Sequence, residues 1–185
     1  MRRRSRPARP LRHRLVQTAV GELALVASCR GLVSVAFDGA ELAKELEEEG
    51  LSYPSNADND EEYADAALDE AESQISEYFA KKRESFSLVL DLHPTLPGPD
   101  GTESPFVSAG APFRSRAQLA LLHVGYGETA SYGDVARLLQ NPGAARAVGT
   151  ACATNPLPII LPCHRIVRSD GKLGEYAGGV ELKET

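Results

Sequence analysis

The segment Asn155-Pro156-Leu157-Pro158-Ile159-Ile160-Leu161-Pro162-Cys163-His164-Arg165-Ile166-Val167 sets a cysteine beside a histidine at the end of the most apolar short run in the carboxyl half. Ile159, Ile160 and Leu161, bounded by Pro158 and Pro162, read as a short buried strand. A strand that delivers Cys163 and His164 to its own end is a mount for a nucleophile. The thiolate is the reactive form of cysteine, and a neighbouring imidazole favours it. The competing reading is an inert core thiol, because unpaired cysteine is among the most buried residue types.

Upstream of this segment the spacing predicts three helices. The first covers Ala111–Val124, with Phe113, Ala117, Ala120, Leu121 and Val124 on one face, and Gly125-Tyr126-Gly127 breaks it. Ser131 and Asp134 form a capping-box pair at the start of the second, Tyr132–Leu139. The third, Gly143–Thr154, stops at Asn155-Pro156. Two short helices across a tight turn make a helix-turn-helix pattern, which also occurs with a purely structural role. The third helix carries Ala144, Ala145, Ala147, Gly149, Ala151 and Ala153, and one long polar side chain, Arg146. Val148 and Cys152, four apart, form its buried stripe. So bare a surface approaches another backbone closely. It suits the minor groove of DNA, about 6 Å wide, and a lone arginine on it suits a wedge into the base stack. A helix packed against another helix needs the same small residues. Downstream, Arg168-Ser169-Asp170-Gly171 is a turn, and Leu173-Gly174-Glu175-Tyr176-Ala177-Gly178-Gly179 is a glycine-rich loop. Such a loop serves backbone geometry or walls a pocket.

The amino half is built differently. Leu15–Phe37 reads as a two-stranded hairpin, punctuated by Gly21-Glu22 and turning at Cys29-Arg30-Gly31. Helices follow over Ala40–Glu49 and Glu61–Lys82 with a polar loop between them, then a strand over Phe86–Leu92. Together these predict an α+β domain over residues 15–92, a linker over 93–110 and a helical domain over 111–185. Charge is distributed unevenly. Residues 1–14 carry seven arginines and no acid, 15–110 carry 5 basic and 20 acidic groups, and 111–185 carry 8 basic and 6 acidic groups. The first stretch is expected to be a disordered basic tail. The acidic run reads as a solvated face that repels nucleic acid; if the chain binds DNA, the last 75 residues are the surface expected to do so. Three cysteines at irregular spacing make no disulfide framework and fit a reducing compartment, the cytoplasm or a nucleus. No apolar run approaches the roughly 20 residues of a membrane span, and no ligand spacing calls for a metal or cofactor.

Taken together, Tyr126-Gly127-Glu128-Thr129, Ser131-Tyr132-Gly133, Ala144-Ala145-Arg146-Ala147-Val148-Gly149, Asn155-Pro156, Pro162-Cys163-His164-Arg165-Ile166-Val167 and Tyr176-Ala177-Gly178-Gly179 resemble the O6-alkylguanine-DNA alkyltransferases, also called methylated-DNA–protein-cysteine methyltransferases. The resemblance is ordered and covers about residues 110–184. Thr18–Phe37 and Ser76–Leu92 resemble the family's opening hairpin and its pre-linker helix and strand more loosely. The resemblance implies an amino-terminal ribonuclease-H-like α/β domain and a carboxyl-terminal winged helix-turn-helix domain. It implies DNA repair by a monomer acting on double-stranded DNA. By that resemblance an alkyl group would pass irreversibly from O6-alkylguanine, and from O4-alkylthymine, to Cys163, once per molecule, after base flipping from the minor groove. His164 would act on the thiol through a water, Asn155 would brace the turn, and Arg146 would replace the flipped nucleotide. Tyr132 would press on the target phosphate and help protonate the leaving guanine. Ala144, Ala145 and Ala147 would line the groove. Pro158, Tyr176, Ala177 and Gly178 would line the pocket.

The sequence departs from that pattern in several places. The family completes its Cys-His pair with a glutamate beyond the Gly-Gly loop. Thr185 precedes that position, and Glu184 aligns with an earlier one, so the expectation is a truncated chain or weakened activity. Ala177 replaces a serine that donates to the guanine oxygen in some members. Gly125 replaces a proline, and Ala117-Gln118 an aliphatic–tryptophan pair, from which looser packing is expected. The 93–110 loop is longer than the family norm. Cys29 falls near one zinc-ligand position of some members, but the sequence offers no convincing co-ligands for a zinc site. Two rival functions remain: a lesion-binding protein that flips the base without chemistry, and a Cys-His hydrolase, which needs an oxyanion hole and a separate histidine.

Overall fold

The structure is a computed structural model that describes residues 8–37, 39–49, 52–54, 60–92, 112–174, 176 and 179. They fall into two compact units, one within residues 1–102 and the other within 103–185. The expected linker over 93–110 lies outside the described residues.

In the first unit, β1 (Ala8–Pro10) pairs antiparallel with β5 (Ser52–Pro54). Strands β2 (Arg12–Thr18), β3 (Gly21–Ser28) and β4 (Gly31–Ala36) form an antiparallel sheet in that order. The expected two strands are thus three, because the Gly21 punctuation is a full turn. Gly21 takes φ +100° and the Thr18 hydroxyl donates to its carbonyl at 2.7 Å. Central strand β3 is buried continuously from Leu23 to Ser28, so both of its faces are covered. Helices α1 (Gly39–Glu49) and α2 (Asp60–Phe79) pack on the sheet, α2 burying Ala64, Leu68, Ala71 and Ile75 at helical spacing.

Two expectations fail here for physical reasons. The basic stretch 1–14 is not disordered throughout, since residues 8–10 and 12–14 lie in strands. Arg12 and Arg14, two apart on β2, share a face. They meet Asp65, Asp69 and Glu72, which follow one another on a face of α2. Arg12 grips both Asp65 oxygens at 3.0 and 3.1 Å, and Arg14 reaches Asp69 at 2.6 Å and Glu72 at 2.8 Å. Hydrogen bonds to Asp65 and Asp69 hold both guanidinium pKa values above normal. Part of the acidic run is therefore a partner for the basic stretch, not only a solvated face. Each exposed pair contributes at most about 1 kcal/mol. The second failure is the strand over 86–92, which reduces to one bridge between Leu32 and Leu90. Its backbone is used otherwise: the Ser87 N–H donates to the Gln74 side chain at 2.8 Å. Beyond it, Asp91 is buried, held by the Ser28 hydroxyl at 2.6 Å and Arg30 at 3.0 Å.

In the second unit, α3 (Phe113–Ala120) runs into a 3-10 turn over Leu121–His123. Helix α4 (Tyr132–Leu138) and helix α5 (Ala145–Ala153) form the helix-turn-helix, joined through a 3-10 turn at Pro142–Ala144. Val148 and Cys152 are buried, as their spacing required. Gln140 ends α4 in the left-handed region, φ +58°, while the Asn141 N–H reaches back to the Ala136 carbonyl at 2.9 Å. The short strands β6 (Ala130–Ser131) and β7 (Ile166–Val167) pair in parallel. No described helix is long and apolar enough to cross a membrane.

The capping box at α4 forms as expected: Ser131 accepts from the Asp134 N–H at 3.1 Å, and Asp134 accepts from the Ser131 N–H at 2.8 Å. The Ser131 hydroxyl, then its N–H, then Arg137 hold the Asp134 carboxyl below its normal pKa. That contribution to stability is present above the unfolded carboxyl pKa, about 3.9, and is lost as pH falls through the lower folded value. Ser131→Ala should lower unfolding free energy by about 1 kcal/mol at neutral pH in urea titrations. Its deficit should shrink once acid has protonated Asp134; an undiminished deficit would remove the carboxyl from this cap.

Candidate active site

The site is built on the chain that leaves α5. Asn155, the second residue after the helix, is 8% exposed, and its side-chain amide is fully engaged. Its oxygen accepts from the Leu157 N–H at 3.1 Å. Its nitrogen donates to the Leu161 carbonyl at 2.8 Å and to the Cys163 sulfur at 3.0 Å. One amide therefore ties the start, the end and the product of the turn together.

That turn replaces the expected strand. Residues 158–160 are turn residues, and the Leu161 N–H closes on the Leu157 carbonyl at 2.8 Å. Ile159, buried and β-branched, has φ +76°, a conformation costing about 1–3 kcal/mol. Burial of Leu157, Ile159, Ile160 and Leu161 and the Asn155 amide hold it there. Pro162, with φ -78° and ψ 64°, is the centre of an inverse γ-turn that joins the Cys163 N–H to the Leu161 carbonyl at 2.7 Å. Cys163 then opens a 3-10 turn over Cys163–Arg165 and is 2% exposed. A donor aimed at sulfur favours thiolate over thiol. Burial also keeps bulk reagents away.

His164 is half-buried, its ring edge-on to that of Tyr176 with centroids 6.4 Å apart. Arg165 turns the other way, donating to the Val124 carbonyl at 2.8 Å with its guanidinium 5.7 Å from the Tyr126 ring centre. Immediately beyond, β7 pairs with β6, so the segment after Cys163 is pinned to the residues just before Tyr132. The Tyr132 ring lies against Gly149 of α5, and its hydroxyl lies where a side chain on Gly174 would sit. Any Cβ at Gly174 would displace that phenol.

The expected site residues thus divide. Cys163, Asn155, His164 and Tyr176 come together around the turn, with Pro158 buried inside it. Tyr132 bridges α5 and the glycine-rich loop. Arg146 and Ala147 are exposed and Ala144 and Ala145 half-exposed at the start of α5. Ala177 and Gly178 lie outside the described residues. Among the described residues no group of three metal-ligating side chains occurs.

Looser packing at the departures from the family pattern is not what the structure shows. Ala117 is fully buried. Gln118 is 3% exposed and donates to the Ala151 and Thr154 carbonyls at 3.1 and 3.0 Å. Gly125 uses the N–H that a proline lacks, donating to Glu128 at 3.1 Å. Gln118 and Ile159 carry structure at the site that the sequence reads otherwise, the one as a packing defect and the other as a strand residue. A polar residue inside the apolar face of α3 was the available signal for Gln118. Nothing local marks Ile159.

Family profiles match both units. Residues 112–185 match the DNA-binding domain of 6-O-methylguanine DNA methyltransferase, and residues 11–92 its ribonuclease-like domain. A methylated-DNA–protein-cysteine methyltransferase of Mycobacterium leprae is 42% identical over 119 residues, 64% of this chain and 62% of that protein. One from Methanosarcina acetivorans is 41% identical over 115 residues, 62% of this chain and 64% of that protein. These alignments span less than two thirds of the relatives' length. Among solved structures, Mycobacterium tuberculosis O6-methylguanine methyltransferase superposes with TM-score 0.67 at 31% identity, covering 94% of this chain and 88% of that one. The M. tuberculosis OGT in complex with DNA gives 0.65 at 31%, covering 93% and 88%.

Removing the Asn155 donor should slow the reaction of Cys163 with iodoacetamide at neutral pH by at least about tenfold, the cost of one hydrogen bond to a charged group. Asn155→Ala, followed at Cys163 by peptide mass mapping, is the measurement. An unchanged rate would show that the amide does not govern the sulfur.

Proposed function

The chain belongs to the O6-methylguanine-DNA methyltransferase family, and we propose that it repairs DNA by taking an alkyl group from O6-alkylguanine, and from O4-alkylthymine, onto Cys163, once per molecule. The observation that carries this reading is the Asn155 N–H held on the buried Cys163 sulfur at 3.0 Å. It is a thiol prepared for nucleophilic work at neutral pH. A merely structural core cysteine needs no such donor.

The reaction is a displacement at saturated carbon. The sulfur bonds to the alkyl carbon as the carbon–oxygen bond breaks, and the electron pair goes to the base. No tetrahedral oxyanion forms, so this reaction needs no oxyanion hole, whereas the hydrolase reading requires one. The thiol proton passes to His164, and the Tyr132 hydroxyl supplies a proton to the departing guanine. The product is a thioether, which no neighbouring group hydrolyses, so the acceptor is spent.

An alkyl group on O6 is inaccessible inside the duplex, so the base leaves the stack, at a cost of a few kcal/mol. The exposed, small-residue start of α5 supports an approach through the minor groove, with Ala144, Ala145 and Ala147 along the backbone and Arg146 filling the vacated position. Tyr132 presses on the target phosphate, and Pro158, Tyr176, Ala177 and Gly178 wall the pocket. The match to a DNA-binding domain and the relative solved with DNA support DNA as the partner; on this reading that DNA is double-stranded and the protein a monomer.

A benzylguanine carrying a fluorophore separates chemistry from mere recognition. The protein should become covalently labelled and Cys163→Ser should not. Binding to alkylated duplex without labelling would instead mark a lesion sensor. Arg146→Ala should leave labelling by free benzylguanine unchanged while slowing transfer from duplex DNA at least about tenfold, the cost of leaving the flipped state unsupported. Equal losses on both substrates would place Arg146 in the chemistry and not in flipping.

A further inference from the structure

We infer that Gln118 is a positioning residue for Cys163, acting through the peptide bond that joins Thr154 to Asn155. An α-helix leaves its last carbonyls without partners inside the helix. Helix α5 has no glycine at its end to close them back. The Gln118 side chain, reaching across from α3, donates one hydrogen to Ala151 and the other to Thr154. The bond to Ala151 is buried, so an apolar residue of equal size would leave that carbonyl dry and unsatisfied, and would strip the Thr154 carbonyl of its side-chain partner.

The consequence reaches the sulfur. The Thr154–Asn155 peptide is planar. Its oxygen is held by Gln118 at 3.0 Å, and its N–H donates to the Cys152 carbonyl at 3.3 Å. The Thr154 hydroxyl and N–H both go back to the Thr150 carbonyl, at 2.9 and 3.0 Å. With the plane held at both ends, the Asn155 backbone has a fixed origin. From there its side chain reaches the Leu161 carbonyl and the Cys163 sulfur. Gln118 touches none of the reacting atoms. It sets the aim of the amide that does.

This inference rests on the alkyl-transfer reading only for its effect on DNA repair; its effect on the thiol stands apart. Gln118→Met keeps the volume and removes both donors. In the full-length protein, we expect iodoacetamide modification of Cys163 to slow about tenfold, the cost of misplacing one hydrogen bond to a charged group. The pH profile of that reaction should shift toward higher pH. The first-order rate of alkyl transfer at saturating DNA should fall by the same factor, with DNA affinity changed less than twofold. Wild-type thiol reactivity and pH profile in folded Gln118→Met would overturn the inference. So would a loss of DNA affinity with the thiol unaffected. If Gln118→Met does not fold, hydrogen exchange in the wild type decides. Protected Gln118 side-chain and Asn155 backbone protons support the clamp, and exchange at the rate of exposed amides overturns it. Should the wild type take no alkyl group from DNA, the functional reading fails while the thiol measurements still judge Gln118.

Discussion

The three hydrogen bonds of the Asn155 amide are the constraint on which the site depends. Between Leu157 and Leu161 the chain makes a buried turn, with Ile159 in a conformation that a β-branched residue avoids. Buried polar backbone must be paired, and Asn155 pairs it from inside the loop. The same amide then has one hydrogen left, and it points at sulfur. The strained turn and the buried sulfur are thus tied to one side chain. Asparagine is suited to this because it both accepts and donates; aspartate would lose both donated bonds and leucine all three.

Everything else in the second unit fixes where that turn sits. The α4–α5 pair buries Val135, Ala136, Val148 and Ala151, and α3 closes the end of α5 through Gln118. Strand β7 returns the chain beside β6, so that Tyr132 follows within one residue of the pairing. Arg165 holds the carbonyl of Val124 after α3. The proposed groove-facing surface at the start of α5 is bare because its polar work is done elsewhere. The first unit contributes a separate economy of charge, in which Arg12 and Arg14 consume part of the acidity of α2.

Some of this was legible in the sequence, and the pattern of success is physical. Ser131 with Asp134, and Val148 with Cys152, are relations within one turn or two of helix, so the sequence determines them. The family resemblance placed Cys163, His164, Asn155 and Tyr176 in one site, and the geometry brings them together. The run Ile159–Leu161 was misread because a short apolar run looks alike as a strand or as a buried turn. What decides is Asn155, outside the run. Arg12 and Arg14 were misread as tail because their partners lie more than fifty residues away. Ser87 was misread as strand because the Gln74 side chain takes its N–H. Each of these misses is a polar side-chain contact overriding a local backbone preference.

The central claim is that the Cys163 sulfur accepts one alkyl group from DNA and keeps it. The most direct measurement is the intact mass of the protein after incubation with excess duplex containing O6-methylguanine. The expected result is a mass increase of one methyl group, located on the peptide bearing Cys163, and no further loss of lesion once every chain is modified. Continued removal of methyl groups by unmodified protein, or an unchanged mass with the lesion bound, would contradict it.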